Sequence, residues 1–136
     1  MSQPLNKTRV VIVDDMDIVV ASQKGRMLAQ QYGFSLTDQF IAATVISEVA
    51  HNIIDYATRG EIILDIVEEN KRHGILVIAN DEGPGISDLE LALQDGYSTG
   101  AGLGLGLSGA KRLMDEFEIV SELGKGTKIT MKKWKL

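Results

Sequence analysis

The chain has 136 residues, and its 14 Lys and Arg against 19 Asp and Glu give a net charge of −5. Hydrophobic residues at 44% and charged residues at 24% are ordinary for a globular protein, which argues against extensive disorder and favours one domain over residues 1–136. No apolar stretch reaches the ~20 residues of a membrane span, and the lack of cysteine excludes disulfides and thiolate chemistry, so we expect a cytoplasmic protein with no membrane partner.

The chain begins with a predicted strand and a predicted helix. The β-branched run 9–13 is typical of a strand. Asp15 or Asp17 is predicted to cap a helix that continues to about Tyr32, and Gly33 stands where a glycine commonly follows a helix. The predicted inner face of this helix comprises Ile18, Ala21, Gly25, Leu28 and Ala29.

A second helix is predicted over about 37–57, because the 35–38 segment offers side chains that can cap its amino terminus. Gly60 is expected to end this helix. Its apolar residues recur at helical spacing, and the predicted inner face comprises Phe40, Ile41, Thr44 or Val45, Val49, Ile53 and Ala57.

The sequence pattern of the second half of the chain predicts four strands and one helix. The 61–67 and 74–80 segments form a predicted antiparallel hairpin around a polar turn, and a polar, glycine-bearing loop follows to about residue 102. A helix is predicted over 105–117, with Ala110, Leu113, Met114 and Phe117 inside. Strands at 118–121 and 127–134 close the chain. This order predicts an α+β fold, a two-layer α/β sandwich with helices on one face of a sheet.

Basic residues are concentrated at the end of the chain. Residues 123–136 contain five lysines and no acid, whereas the rest of the chain is strongly acidic. The acidic remainder would repel nucleic acid, and aromatic residues at 5% leave few stacking surfaces for single strands. We therefore predict a solvated strand face at this end and no nucleic-acid partner.

The second predicted helix carries the first chemical motif. Glu48 and Asn52 are four residues apart and so share one helix face. An acid and an amide in an apolar stretch are costly to bury unless they are paired or belong to a site. One interpretation is a polar helix edge; the other is a general base with a hard-oxygen ligand for Mg²⁺. The neighbouring His51 is expected to be a satisfied or surface histidine.

The second motif, Asp81-Glu-Gly83-Pro-Gly85, follows a predicted strand. A turn is one interpretation, because Pro followed by Gly suits type II geometry. The other interpretation is a base-binding site, in which the carboxylate of Asp81 accepts a hydrogen bond from an exocyclic amine. The glycines would then let a flat base approach the backbone.

The third motif is a glycine-rich segment at 100–109. Glycines allow backbone amides to turn toward phosphate oxygens, and the following helix adds a favourable dipole. The 104–109 segment matches G-x-G-x-x-G, but a loop rather than a strand precedes it, which disfavours a dinucleotide fold. No Gly-Lys-Ser/Thr is present, so a P-loop is excluded. A simple mobile loop stays an alternative.

Together these motifs resemble those of the GHKL (Bergerat-fold) ATPases. The 48–52 segment resembles the N box, 81–85 the G1 box and 100–106 the G2 box, while 124–127 resembles the last glycine–threonine motif. The resemblance covers about residues 8–134 and implies helices on one face of a mixed, mainly antiparallel sheet.

The chain also resembles the small bacterial anti-sigma-factor kinases, above all the stressosome switch kinases. This closer likeness rests on four segments, namely 17–21, 46–52, 95–99 and 111–117. This likeness implies ATP- and Mg²⁺-dependent phosphorylation of Ser or Thr on small STAS-domain proteins. It also implies that the released kinase binds and activates a PP2C-type phosphatase in a stress-signalling partner switch. The alternative function is an anti-sigma factor that sequesters a sigma factor as a nucleotide-gated binding module.

The resemblance also implies residue roles. Glu48 would be the catalytic base for the attacking hydroxyl and Asn52 the Mg²⁺ ligand. Asp81 would bind the adenine amine, helped by Thr127 through water, and residues 98–101 would belong to a mobile lid. Apart from the resemblance, phosphoryl transfer calls for a cation near the developing charge; Lys111, one helical turn past the glycines, is the candidate, and backbone amides with Mg²⁺ are the alternative. The implied nucleotide-binding residues are Asn52, Asp81, Gly83, Gly85, Ile86, Ser98, Thr99, Gly100, Gly102, Leu103, Gly104, Leu105, Gly106 and Thr127.

Overall fold

The computed structural model describes residues 3–4, 7–84 and 106–135. These ranges contain the predicted order of helices and strands, and a short additional strand comes before them. The elements are β1 (Gln3–Pro4), β2 (Thr8–Ile12), α1 (Asp15–Gln31), α2 (Leu36–Ala57), β3 (Gly60–Glu69), β4 (Arg72–Asp81), α3 (Gly106–Leu113), β5 (Glu116–Glu122) and β6 (Gly126–Trp134).

The strands form one sheet in the order β3-β4-β6-β5, and both β1 and β2 pair with the outer edge of β3. β2 lies against residues 60–64 of β3 and β1 against residues 67–68. Each pairing between described strands is antiparallel, as expected for a mainly antiparallel sheet. The β3–β4 turn has only two residues, Asn70 and Lys71, and both have positive φ, as a tight hairpin of this length requires.

The core lies between the helices and one face of the sheet. Alternate residues of β3 and β4 point into it, and α1 and α2 cover them. Gly25 brings the two helices close together, because a Cβ at this position would lie 2.1 Å from Ile46 Cδ1. The two-layer α+β fold predicted from the sequence is confirmed. None of the described helices combines the length and apolar character needed to cross a membrane.

The start of α1 differs from its prediction. The capping residue is Asp14, whose side chain accepts from the backbone amides of Met16 and Asp17. The Asp17 carboxylate accepts in turn from the backbone amide of Asp14, which completes a capping box. The prediction of Asp15 or Asp17 as the cap was therefore wrong. The predicted inner face is confirmed, and Gly33 follows the helix at φ +78° as expected.

α2 begins after its cap Ser35 and ends at Ala57, both as predicted, but Gly60 is not the residue that ends it. Thr58, at φ +72°, breaks the helical path, and Gly60 is already the first residue of β3. Phe40 was wrongly placed inside. It is 50% exposed, and the Arg26 guanidinium lies 4.8 Å from its ring centroid, because the buried stripe of α2 turns this side chain toward solvent.

α3 ends at Leu113, four residues before its predicted end. The amide of Asp115 donates to the Lys132 carbonyl at 2.9 Å, so the chain joins the sheet at this point instead of continuing the helix. Phe117 therefore reaches the core from β5, opposite Met131.

At the lysine-rich end, Lys132 and Lys133 pair with Glu116 and Asp115 at 3.8 and 3.6 Å.

Candidate active site

α2 carries a buried carboxylate beside the start of α3. The Glu48 side chain is buried, and its Oε1 accepts a hydrogen bond from the backbone amide of Gly106 at 3.1 Å. The amino terminus of a helix carries partial positive charge and unpaired amides, so it stabilises a carboxylate there. The fold thus brings together the first and third sequence motifs, which lie 58 residues apart.

Asn52 lies one helical turn after Glu48 and is partly exposed. Its side chain therefore belongs to the same face of α2 as the buried carboxylate. His51 does not join this face: its Nδ1 lies 2.8 Å from the Ser47 carbonyl oxygen of the same helix. This contact agrees with the prediction of a satisfied histidine.

A second acidic group stands at the end of β4. Asp81 Oδ1 accepts from the amide of Gly83 at 2.9 Å. Partial burial raises the pKa of Asp81 above its ordinary value, and backbone hydrogen bonds from Gly83 and Thr127 oppose that rise. A partly desolvated carboxylate at the end of a strand is suited to accepting a hydrogen bond from a ligand donor.

Two glycines allow the backbone to close around Asp81. A Cβ on Gly83 would lie 2.5 Å from Ala57 Cβ, so this loop packs directly on the last turn of α2. A Cβ on Gly126 would lie only 2.0 Å from the Asp81 carbonyl oxygen, and Gly126 has φ +114°. The structure thus gives both glycines a packing role. The approach of a base to Gly83 stays a prediction.

Thr127 lies directly opposite Asp81 in the β4–β6 pairing and is buried. Its hydroxyl is 2.8 Å from the Ser121 hydroxyl on β5. Sequence reasoning did not identify Ser121. The predicted hairpin could have identified it, because the strands that flank the 123–125 turn place residues 121 and 127 opposite each other.

Glu48 and Asp81 lie near two points of α2 that are well separated along the helix axis. Ala57, which Gly83 contacts, follows Glu48 by nine residues on the same helix, or about 14 Å along its axis. This separation suits an elongated ligand with an N–H donor group at Asp81 and an anionic group at the amino terminus of α3. Lys111 is exposed one turn into α3, and its role stays a prediction.

Several predicted site residues lie outside the described part of the chain, and so does the predicted lid at 98–101. They are Gly85, Ile86, Ser98, Thr99, Gly100, Gly102, Leu103, Gly104 and Leu105.

Comparison with known proteins identifies the family. Residues 37–136 match the family described as histidine kinase-, DNA gyrase B- and HSP90-like ATPases. The chain belongs to this ATPase family. The matched region starts in α2 and includes Glu48, Asn52, Asp81 and Thr127. The expected GHKL membership is confirmed.

Individual relatives extend this result. The chain is 47% identical over 125 residues to the serine/threonine-protein kinase RsbT of Bacillus subtilis (strain 168), covering 92% of this chain and 94% of RsbT. It is 35% identical over 98 residues to the anti-sigma F factor of Caldanaerobacter subterraneus subsp. tengcongensis, covering 67% of this chain and 66% of that protein. A solved chain of the mycobacterial sensor histidine kinase MprB shares the fold, with a TM-score of 0.56, 15% identity, and coverage of 96% of this chain and 98% of that solved chain.

Proposed function

We propose that the chain is a protein serine/threonine kinase that transfers the γ-phosphoryl group of ATP to a hydroxyl of a partner protein. The observation that carries this proposal is the pairing of the buried Glu48 carboxylate with the Gly106 amide at the start of α3. It places a candidate base beside the segment that resembles the phosphate-binding motif. The 47% identity to a protein named as a serine/threonine kinase supports the same activity.

The base end of the nucleotide is proposed to lie against Asp81. The ionised carboxylate accepts a hydrogen bond from the adenine amine, and the neighbouring Thr127 hydroxyl contributes to the same contact. Partial desolvation strengthens such a bond, because less water competes for the acceptor. The packing of Gly83 on Ala57 and of Gly126 on Asp81 supports this role by holding the carboxylate in place.

The phosphate end is proposed to lie near the amino terminus of α3, where backbone amides favour anions. Among the described residues, no group of three or more acidic or histidine side chains could hold a metal ion. Mg²⁺ commonly takes only one or two protein ligands and completes its shell with phosphate oxygens and water. Asn52 would supply the protein oxygen, and the bound ion would offset the charge that develops on the phosphates.

Glu48 is the proposed general base. A serine or threonine hydroxyl must lose its proton as it attacks phosphorus, and a carboxylate held near the phosphates can accept that proton. The proposed acceptors are small STAS-domain proteins, and the proposed second partner is a PP2C-type phosphatase that the released kinase activates in a stress-signalling switch. The motif likeness to the stressosome switch kinases supports both partners.

A second candidate is an anti-sigma factor that uses the nucleotide to gate binding of a sigma factor. The anti-sigma F factors that match two thirds of the chain favour it. The placement of Glu48 beside α3 favours the kinase, because a pure binding module needs no base there.

The experiment supplies γ-labelled ATP and Mg²⁺ to the protein together with a STAS-domain protein. A kinase labels the partner with an acid-stable phosphoester, and Glu48→Gln abolishes most of that label. Asp55 is an exposed carboxylate on the same helix, so Asp55→Asn is the matched control and should label the partner as the unmodified protein does. Tight binding of the partner with label released only as free phosphate would contradict the kinase and favour the nucleotide-gated module.

A further inference from the structure

One row of side chains crosses the sheet at the base end of the site. Asp81 on β4 pairs with Thr127 on β6, and Thr127 pairs with Ser121 on β5. Directly opposite residues in antiparallel strands point to the same face. The pair two residues away, Ala79 and Ile129, lies in the core beneath the helices. The row of Asp81, Thr127 and Ser121 therefore faces the helix side, where the proposed nucleotide site lies.

The two hydroxyls in this row form a hydrogen bond whose direction the surroundings decide. Ser121 Oγ and Thr127 Oγ1 are 2.8 Å apart, so one of them donates to the other. Ser121 Oγ also donates to the Gly126 carbonyl oxygen at 3.3 Å. A hydroxyl has one proton and two lone pairs, and a carbonyl oxygen can only accept. When Ser121 gives its proton to Gly126, the proton between the hydroxyls comes from Thr127.

This direction determines what Thr127 presents to the site. With its proton directed to Ser121, Thr127 offers lone pairs, and its neighbour Asp81 is also an acceptor when ionised. Two acceptors side by side match the two N–H donors of one exocyclic amine. They disfavour an edge that carries a carbonyl oxygen, because two acceptors would face each other without a proton.

We propose that Ser121 is a positioning residue that holds the Thr127 hydroxyl as a hydrogen-bond acceptor beside Asp81 and so strengthens selection of an amino-bearing base. This inference rests on the proposed function, in which adenine lies against Asp81. Ser121 acts through Thr127 and is not itself a catalytic residue.

The test compares ATP with inosine triphosphate, which has a carbonyl oxygen in place of the adenine amine. Ser121→Ala removes the acceptor for the Thr127 proton and allows the hydroxyl to rotate. We expect ATP affinity to fall about threefold to tenfold, the effect of one hydrogen bond, and the ATP-to-inosine-triphosphate affinity ratio to fall with it. Ser121→Thr keeps a hydroxyl and should restore both values. Should Ser121→Ala fail to fold, Ser121→Cys tests the same point with a weaker donor and acceptor.

A double-mutant cycle separates positioning from a general effect on β5. Thr127→Val removes the hydroxyl with little change of shape, and adding Ser121→Ala to it should cost no further ATP affinity. Val120→Ala, at an exposed neighbour on the same strand, is the control for strand stability and should bind ATP normally.

The outcomes distinguish this inference from the proposed function. Weakened ATP binding by Thr127→Val, with Ser121→Ala behaving like Val120→Ala, would overturn the role of Ser121 and leave the nucleotide site intact. Additive losses in the double variant would also overturn it. Unchanged ATP binding by Thr127→Val would remove Thr127 from the site and the inference with it. Failure of the unmodified protein to bind ATP would instead overturn the proposed function.

Discussion

Glu48 Oε1 and the amide nitrogen of Gly106 lie 3.1 Å apart, in a hydrogen bond between α2 and the first residue of α3. The bond is buried, and Gly106 has φ +63°, a conformation that favours glycine. Glu48 therefore supports the position of α3 as well as serving as the proposed base. Substitutions at this position should separate the two roles.

Glu48→Gln and Glu48→Ala are predicted to differ in stability. The glutamine oxygen can still accept from Gly106, so this variant should fold and bind ATP while phosphoryl transfer falls about 10²–10⁴-fold. Alanine leaves the buried amide without its acceptor, which should lower the free energy of unfolding by about 1–3 kcal/mol. Urea denaturation and single-turnover assays measure the two effects. Equal stability of the two variants would contradict the structural role of the bond.

Asp81→Asn is predicted to weaken ATP binding about tenfold to a hundredfold, because the replacement amide can present a donor to the adenine amine. The asparagine oxygen can keep the bond from the Gly83 amide, so the fold should persist. Isothermal titration calorimetry with ATP measures the affinity. Glu82→Gln, an exposed neighbour with the same loss of charge, is the control and should bind ATP as the unmodified protein does. Equal affinity in a folded Asp81→Asn protein would remove Asp81 from the site.

ATP binding should also depend on pH through Asp81. Burial raises the pKa of this carboxyl above its ordinary value of 3.8, so the folded protein takes up the proton at a higher pH than the unfolded chain does. Between the two pKa values the folded state binds more protons, so this group adds stability as pH falls through the raised pKa. The adenine contact instead needs the ionised form, and ATP affinity should fall over the same range.

The Asp81→Asn variant provides the control for this pH dependence, because ATP and other groups also titrate. The affinity advantage of the unmodified protein over Asp81→Asn should shrink as pH is lowered from neutral. An advantage that stays constant across the range would show that Asp81 does not act through its ionised form.

Gly124 and Gly126 offer a matched pair of glycine substitutions in the β5–β6 turn. Both have positive φ, so alanine should cost about 1–2 kcal/mol at either position. A Cβ on Gly124 meets nothing within 4 Å, whereas one on Gly126 would lie 2.0 Å from the Asp81 carbonyl oxygen. Gly126→Ala should therefore lose about 1–3 kcal/mol more and weaken ATP binding by displacing Asp81. Thermal unfolding and ATP titration of the two variants test this; equal effects would contradict the close contact.

The order of helices and strands and the spacing of the motifs could be predicted from the sequence. Both depend on local patterns: apolar residues at helical or alternating spacing, polar turns and capping side chains act over a few residues. The inner face of α1 and the shared helix face of Glu48 and Asn52 follow from helix geometry alone.

What the sequence alone did not determine depends on contacts between residues distant in the chain. α3 ends early because the Asp115 amide bonds to Lys132, and Phe40 is exposed because the packing of α2 selects a different stripe. The bond from Gly106 to Glu48 and the row of Asp81, Thr127 and Ser121 depend on helix packing and strand register. Local propensity contains no information on such pairings, because their free energy arises only when separate elements pack together.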